Sequence, residues 1–129
     1  MFYLDGGNIY IHRGDSASFD IVFGKSQSTS EYQITAQDVY GVNWIPEDGT
    51  HVRFSVKCDV DRLRPVIQKD LVVTNGFVSI GLFPKDTSGL PFGEYKWDIR
   101  IGFEDSDTMD WNTPVNPMSL YICEVVGNV

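Results

Sequence analysis

The chain has 129 residues, 42% hydrophobic and 13% aromatic, enough for one folded domain over residues 1–129 with a sizeable core and too apolar for disorder. Its 18 acidic against 10 basic residues give a formal charge of −8, a field that repels phosphate backbones and anionic membranes, so neither nucleic acid nor membrane is an expected partner. No apolar run approaches a membrane span, and Met1-Phe2-Tyr3-Leu4-Asp5-Gly6-Gly7 lacks the basic and apolar regions of a secretory signal, so the initial Met reads as a natural start.

In chain order, Asn8 to His12 reads as a short strand with Ile9 and Ile11 on one face. Arg13-Gly14-Asp15-Ser16 is a turn. Ser18 to Phe23 alternates again, with Phe19, Ile21 and Phe23 inward and Ser18 and Asp20 outward. So short a link makes either a hairpin or a strand that bends from one sheet to another. Gly24 to Glu31 is a polar loop, and Tyr32 to Ile45 fits neither period well, although Tyr32 and Ile34 could begin a strand. Pro46-Glu47-Asp48-Gly49 is a strong turn signal, and His51 to Cys58 is a clear strand with Val52, Phe54, Val56 and Cys58 on one face. Val66–Val73 and Phe77–Leu82 flank Asn75-Gly76 and predict a hairpin, because both turn residues accept positive φ.

The stretch Leu82–Ile101 organises the rest. In its second half Tyr95, Trp97, Ile99 and Ile101 point one way, and Glu94, Lys96, Asp98 and Arg100 the other. Its first half is turn chemistry: Asp86 and Thr87 can bond nearby backbone N–H groups, Pro91 fixes φ, and Gly93 tolerates the dihedrals of a tight strand start. Gly93-Glu94-Tyr95 has the form of a tyrosine corner, in which the phenol bonds backbone upstream; the plainer alternative is a half-buried strand aromatic. Gly102 to Asn116 follows as a long acidic loop. Met118 to Val126 is a last strand, apolar on both faces and so central or doubly covered. The sum is an all-β, Ig-like antiparallel β-sandwich of about seven strands and no convincing helix, with a closed barrel as the alternative.

Candidate chemistry is thin. Cys58 and Cys123 do not form a CxxC and lie far in sequence from His12 and His51, so two free thiols are expected rather than zinc or a disulfide. His12, Asp15 and Ser16 have the residue types of a hydrolase triad but sit nearly contiguously around a turn, without an oxyanion nest. Arg13-Gly14-Asp15 reads as a reversal rather than an integrin signal. Glu104, Asp105, Asp107 and Asp110 could bind calcium but lack EF-hand spacing, and a solvated acidic loop is the simpler reading. Trp44 and Trp111 are either core or, if exposed, an interaction surface: protein anchors or sugar platforms. No catalytic residue, cofactor or metal is expected.

The motifs Ile9-Tyr10-Ile11-His12-Arg13-Gly14-Asp15-Ser16, Val52-Arg53-Phe54-Ser55-Val56-Lys57, Asn75-Gly76-Phe77-Val78-Ser79-Ile80 and Gly93-Glu94-Tyr95-Lys96-Trp97-Asp98-Ile99, in this order, resemble Ig-like domains of tailed-phage and prophage virion proteins. Among these is the N-terminal domain of the baseplate upper protein. The resemblance implies a non-catalytic structural protein of a virion, in the tail or baseplate or associated with the head. It would be assembled in the bacterial host cytoplasm and dock on other virion proteins, often in several copies, with a homo-oligomer as one form. It also implies that Arg13, Gly14, Asp15, Gly93 and Tyr95 serve the fold as turn and corner. A carbohydrate-binding β-sandwich module is the alternative function.

Overall fold

The computed structural model of the protein describes residues 1–25, 28–37, 45–58, 64–102 and 118–124. Alternation of apolar and polar residues builds nine strands among them: β1 (Phe2–Asp5), β2 (Asn8–His12), β3 (Ala17–Val22), β4 (Gln33–Thr35), β5 (His51–Lys57), β6 (Ile67–Val72), β7 (Phe77–Leu82), β8 (Gly93–Gly102) and β9 (Met118–Cys123). One short helix, α1 (Pro84–Thr87), precedes β8. The strands form a six-stranded sheet in the order β1-β2-β9-β8-β5-β6 and a three-stranded sheet in the order β4-β3-β7.

The two sheets share one core. Ile9, Ile11, Phe19, Ile21, Phe54, Ile80, Ile99 and Leu120 are fully buried, and Trp97 is 2% exposed. Phe19 of the small sheet meets Phe54 of the large one edge-to-face, with ring centroids 6.2 Å apart. The all-β sandwich therefore stands, with two corrections to the sequence expectation. The described strands number nine rather than about seven, and the sheets are mixed rather than antiparallel, since β2 runs parallel to β9 and β3 parallel to β4. The extra strands are β1, hidden in a terminus too short to show a period, and β4, three residues within the stretch that fitted neither period.

The Asn75-Gly76 hairpin is a third correction. Asn75 (φ 55°) and Gly76 (φ 84°) make the expected turn, closed by the Thr74–Phe77 bridge. Its arms then part: β6 pairs with β5 in the large sheet and β7 with β3 in the small one. Each arm pairs over six residues with a strand of a different sheet, so the turn survives and the ladder does not. The link from β2 to β3 likewise crosses between sheets, the second of the two outcomes open for it. The last strand is central, between β2 and β8, as its two apolar faces require.

Asp20 points outward from β3 yet is only 7% exposed, because the hydroxyls of Ser28 and Ser79 donate to its two carboxylate oxygens. On edge strand β6, Lys69 faces inward and its ammonium meets Asp86 at 2.9 Å, which ties the edge to α1 and blunts it against pairing with other chains. Burial alone would raise the Asp86 pKa; the Phe83 N–H and Lys69 outweigh it and hold the carboxyl below its ordinary value. A carboxyl with a depressed folded pKa stabilises above its unfolded value and loses that contribution as pH falls through the folded one. Melting curves from neutral pH to pH ~2.5 should therefore show the wild type losing more stability than Asp86→Asn over the acid range. Parallel curves would show that the Lys69–Asp86 contact contributes nothing.

Candidate functional site

The structure joins the Arg13–Asp15 turn to the segment leading into β8, more than 70 residues away in sequence. Gly14 sits at φ 86°, a left-handed conformation in which a side chain would be strained, and the Asp15 N–H closes the turn on the His12 carbonyl at 3.0 Å. The Gly14 N–H donates to Thr87 Oγ1 at 2.9 Å, so the Thr87 hydroxyl serves a distant turn rather than its own neighbours. The Arg13 guanidinium donates to the Leu90 carbonyl at 3.3 Å and lies 4.0 Å from the centroid of Phe92. Asp15 accepts from the Met1 ammonium and lies 3.3 Å from His12 Nδ1. Arg13 and Asp15 are thus both engaged within the chain, as a turn requires.

Four residues before Tyr95, the Pro91 carbonyl accepts the Tyr95 hydroxyl at 2.8 Å, which makes the tyrosine corner. Gly93, at φ 142°, carries the chain into β8 in a conformation that favours glycine. Burial raises the Tyr95 pKa and keeps the phenol a donor. Tyr95→Phe should cost about 0.5–1.5 kcal/mol in urea unfolding, the net worth of one such bond. No loss would reduce Tyr95 to a strand aromatic.

Trp44, Trp111 and the acidic loop with Glu104, Asp105, Asp107 and Asp110 lie outside the described residues. A different aromatic surface is described. On the outer face of the large sheet, Tyr3 of β1, Tyr10 of β2 and Tyr121 of β9 occupy one register row, which Glu94 of β8 extends. Tyr3 and Tyr10 have centroids 5.5 Å apart; Tyr10 and Tyr121 stack at 4.7 Å with planes 9° apart. Tyr3, on the edge strand, is 47% exposed. Glu94 accepts from Lys96 Nζ at 2.8 Å and from the Ser119 hydroxyl at 2.5 Å, and both bonds lower its pKa. Burial first, then Tyr121 and Asp5, raises the Tyr10 pKa, so that phenol is neutral. The strand alternation of Tyr10 and Tyr121 was legible in the sequence. Their adjacency was not, because β2 and β9 are joined by no local signal.

Other groupings do less. Cys58 and Cys123 are both free thiols, but Cys58, expected on the face of Val52, Phe54 and Val56, lies just past β5 and is exposed. Cys123 neighbours His12 in register, yet its thiol contacts the Tyr121 carbonyl and burial raises its pKa, the reverse of what a nucleophile needs. Ser16, the third residue of the triad-like trio, is exposed. His51 lines an open cleft with Asp70, Leu71, Val72, Thr74, Phe77 and Ser79, where the β6 and β7 arms part. Of its polar groups, Asp70 is held by Arg53 at 2.7 Å, and Ser79 donates to Asp20. Among the described residues, no three His, Cys, Asp or Glu side chains gather as metal ligands, and no helix is long and apolar enough to cross a membrane.

Comparison with family models, with curated proteins and with solved structures found no match to the chain. The chemistry open to the outer face is therefore judged from its geometry. Tyr10 stacks on Tyr121 and lies tilted against Tyr3, so within the row only Tyr3, on the edge strand, is exposed. Such a surface suits contact with another protein, in which tyrosines are frequent anchors, better than stacking of a sugar ring.

Proposed function

We propose that the protein is a non-catalytic structural component of a phage or prophage virion, an Ig-like sandwich that works by docking on other virion proteins. The observation that carries this reading is the tyrosine row on the outer face of the large sheet, a contiguous aromatic surface with no described layer over it. The resemblance of the ordered motifs to Ig-like virion domains supports the assembly context, and the joined turn and tyrosine corner support the Ig-like frame. The partners are other virion proteins, and Trp44 and Trp111, outside the described residues, are further candidate contacts.

The test is particle incorporation. Phage particles induced from a host carrying the gene and banded on a density gradient should contain the chain in constant ratio to the major structural proteins. Replacing Tyr10 and Tyr121 together by Ser should lower incorporation about ten-fold or more, the effect of losing a hot-spot pair, while the purified variant keeps a cooperative melt. A chain absent from the particles would overturn the assignment. Unchanged incorporation of the double variant would remove the row as the contact surface.

A further inference from the structure

On edge strand β1, Tyr3 and Asp5 are two residues apart on the outer face, with their Cα atoms about 6.8 Å from one another by strand rise. Tyr3 ends the row. Tyr10 lies against its ring at a tilt of 43°, and no described strand lies beyond β1 on its other side. Asp5 is exposed and pairs in register with Asn8, which brings no charge. A half-exposed tyrosine beside a carboxylate with no ion pair among the described residues, on a chain of formal charge −8, is a complement to a planar cation. Arg13, in the turn after β2, is already engaged with the Leu90 carbonyl and the Phe92 ring.

We propose that Tyr3 and Asp5 form an arginine-accepting site, through which the tyrosine row docks a cationic, arginine-bearing segment of a partner protein. The site deepens the docking reading and rests on it. Guanidinium is the fitting group because it is flat enough to lie on the open Tyr3 ring while its N–H fork reaches the Asp5 carboxylate; an ammonium can do one but not both. A second copy of the chain is the poorer occupant, since it would bring a further −8 and another Asp5 to the same place. Phosphate-bearing partners are disfavoured by the same charge.

The test titrates the isotope-labelled protein with three short peptides, identical except for Arg, Lys or Glu at two positions, and follows backbone amide shifts at low and high salt. The Arg peptide should shift Tyr3, Asp5 and Tyr10 and bind roughly two- to five-fold tighter than the Lys peptide, the margin of an exposed cation–π contact. Its binding should weaken with salt. Tyr3→Leu should abolish the preference for Arg over Lys, and Asp5→Asn, which changes charge and not shape, should weaken both peptides. Equal binding of Arg and Lys, equal binding of the Glu peptide, or shifts confined to Glu47 and Asp48 would overturn the site. Indifferent peptides with an incorporated chain would sink the arginine site and leave docking standing. A selective peptide with a chain absent from particles would do the reverse.

Discussion

Trp97→Ala should destabilise the protein by about 3–5 kcal/mol, the range for removing a large aromatic from a packed core. The ring is 2% exposed, lies 5.5 Å from Phe54 by centroid, and closes the centre of the large sheet. Its indole N–H also donates to the Gly7 carbonyl at 2.8 Å in the turn between β1 and β2. Truncation therefore leaves both a cavity and a buried acceptor without its donor. Trp97→Phe should keep much of the packing and lose the bond, costing about 1–3 kcal/mol for the unsatisfied carbonyl. Urea unfolding with an unchanged slope would report the two values directly. A loss under about 1 kcal/mol for the alanine variant would mean that the indole does not hold the sheet's centre.

Thr87→Val should cost about 1–3 kcal/mol, although the two side chains have nearly the same shape. Thr87 is fully buried, and its hydroxyl oxygen is the acceptor for the Gly14 N–H. Valine fills the space but offers that N–H nothing, and an unmet donor in a closed site loses its solvation without return. Thr87→Ser restores the oxygen and should recover most of the loss. Combined with Tyr95→Phe, the valine variant should show a coupling of about 0.5 kcal/mol or more, since both bonds hold the segment from α1 to β8. Strict additivity would mean that turn and corner are separate devices.

Structure is legible in the sequence where one local pattern carries the answer. Tyr95, Trp97, Ile99 and Ile101 are all buried, as alternation on β8 requires, and Asp86 bonds the nearby Phe83 N–H at 2.8 Å. It is not legible where two distant segments meet. Thr87 could be seen to want a partner but not to find it on Gly14. Asp20 alternates outward and is buried all the same, because Ser28 and Ser79 come from other segments to cover it. The tyrosines of β2 and β9 were each visible, while Trp44 and Trp111 drew attention because tryptophan is conspicuous by itself.

What the amino-acid order determines alone is therefore local: which residues alternate, where Gly14, Asn75-Gly76 and Gly93 bend the chain, and that the product is layered β-structure. Those outcomes follow from steric limits on each backbone and from the two faces of each strand, and both act over a few residues. The assignment of strands to sheets belonged to the tertiary structure. A strand's hydrogen bonds fit any neighbour of suitable length, so only the packing of both sheets over Phe19, Phe54 and Trp97 chooses among them. That choice parted the arms of the Asn75-Gly76 hairpin, set β2 parallel to β9, and so brought Tyr10 against Tyr121.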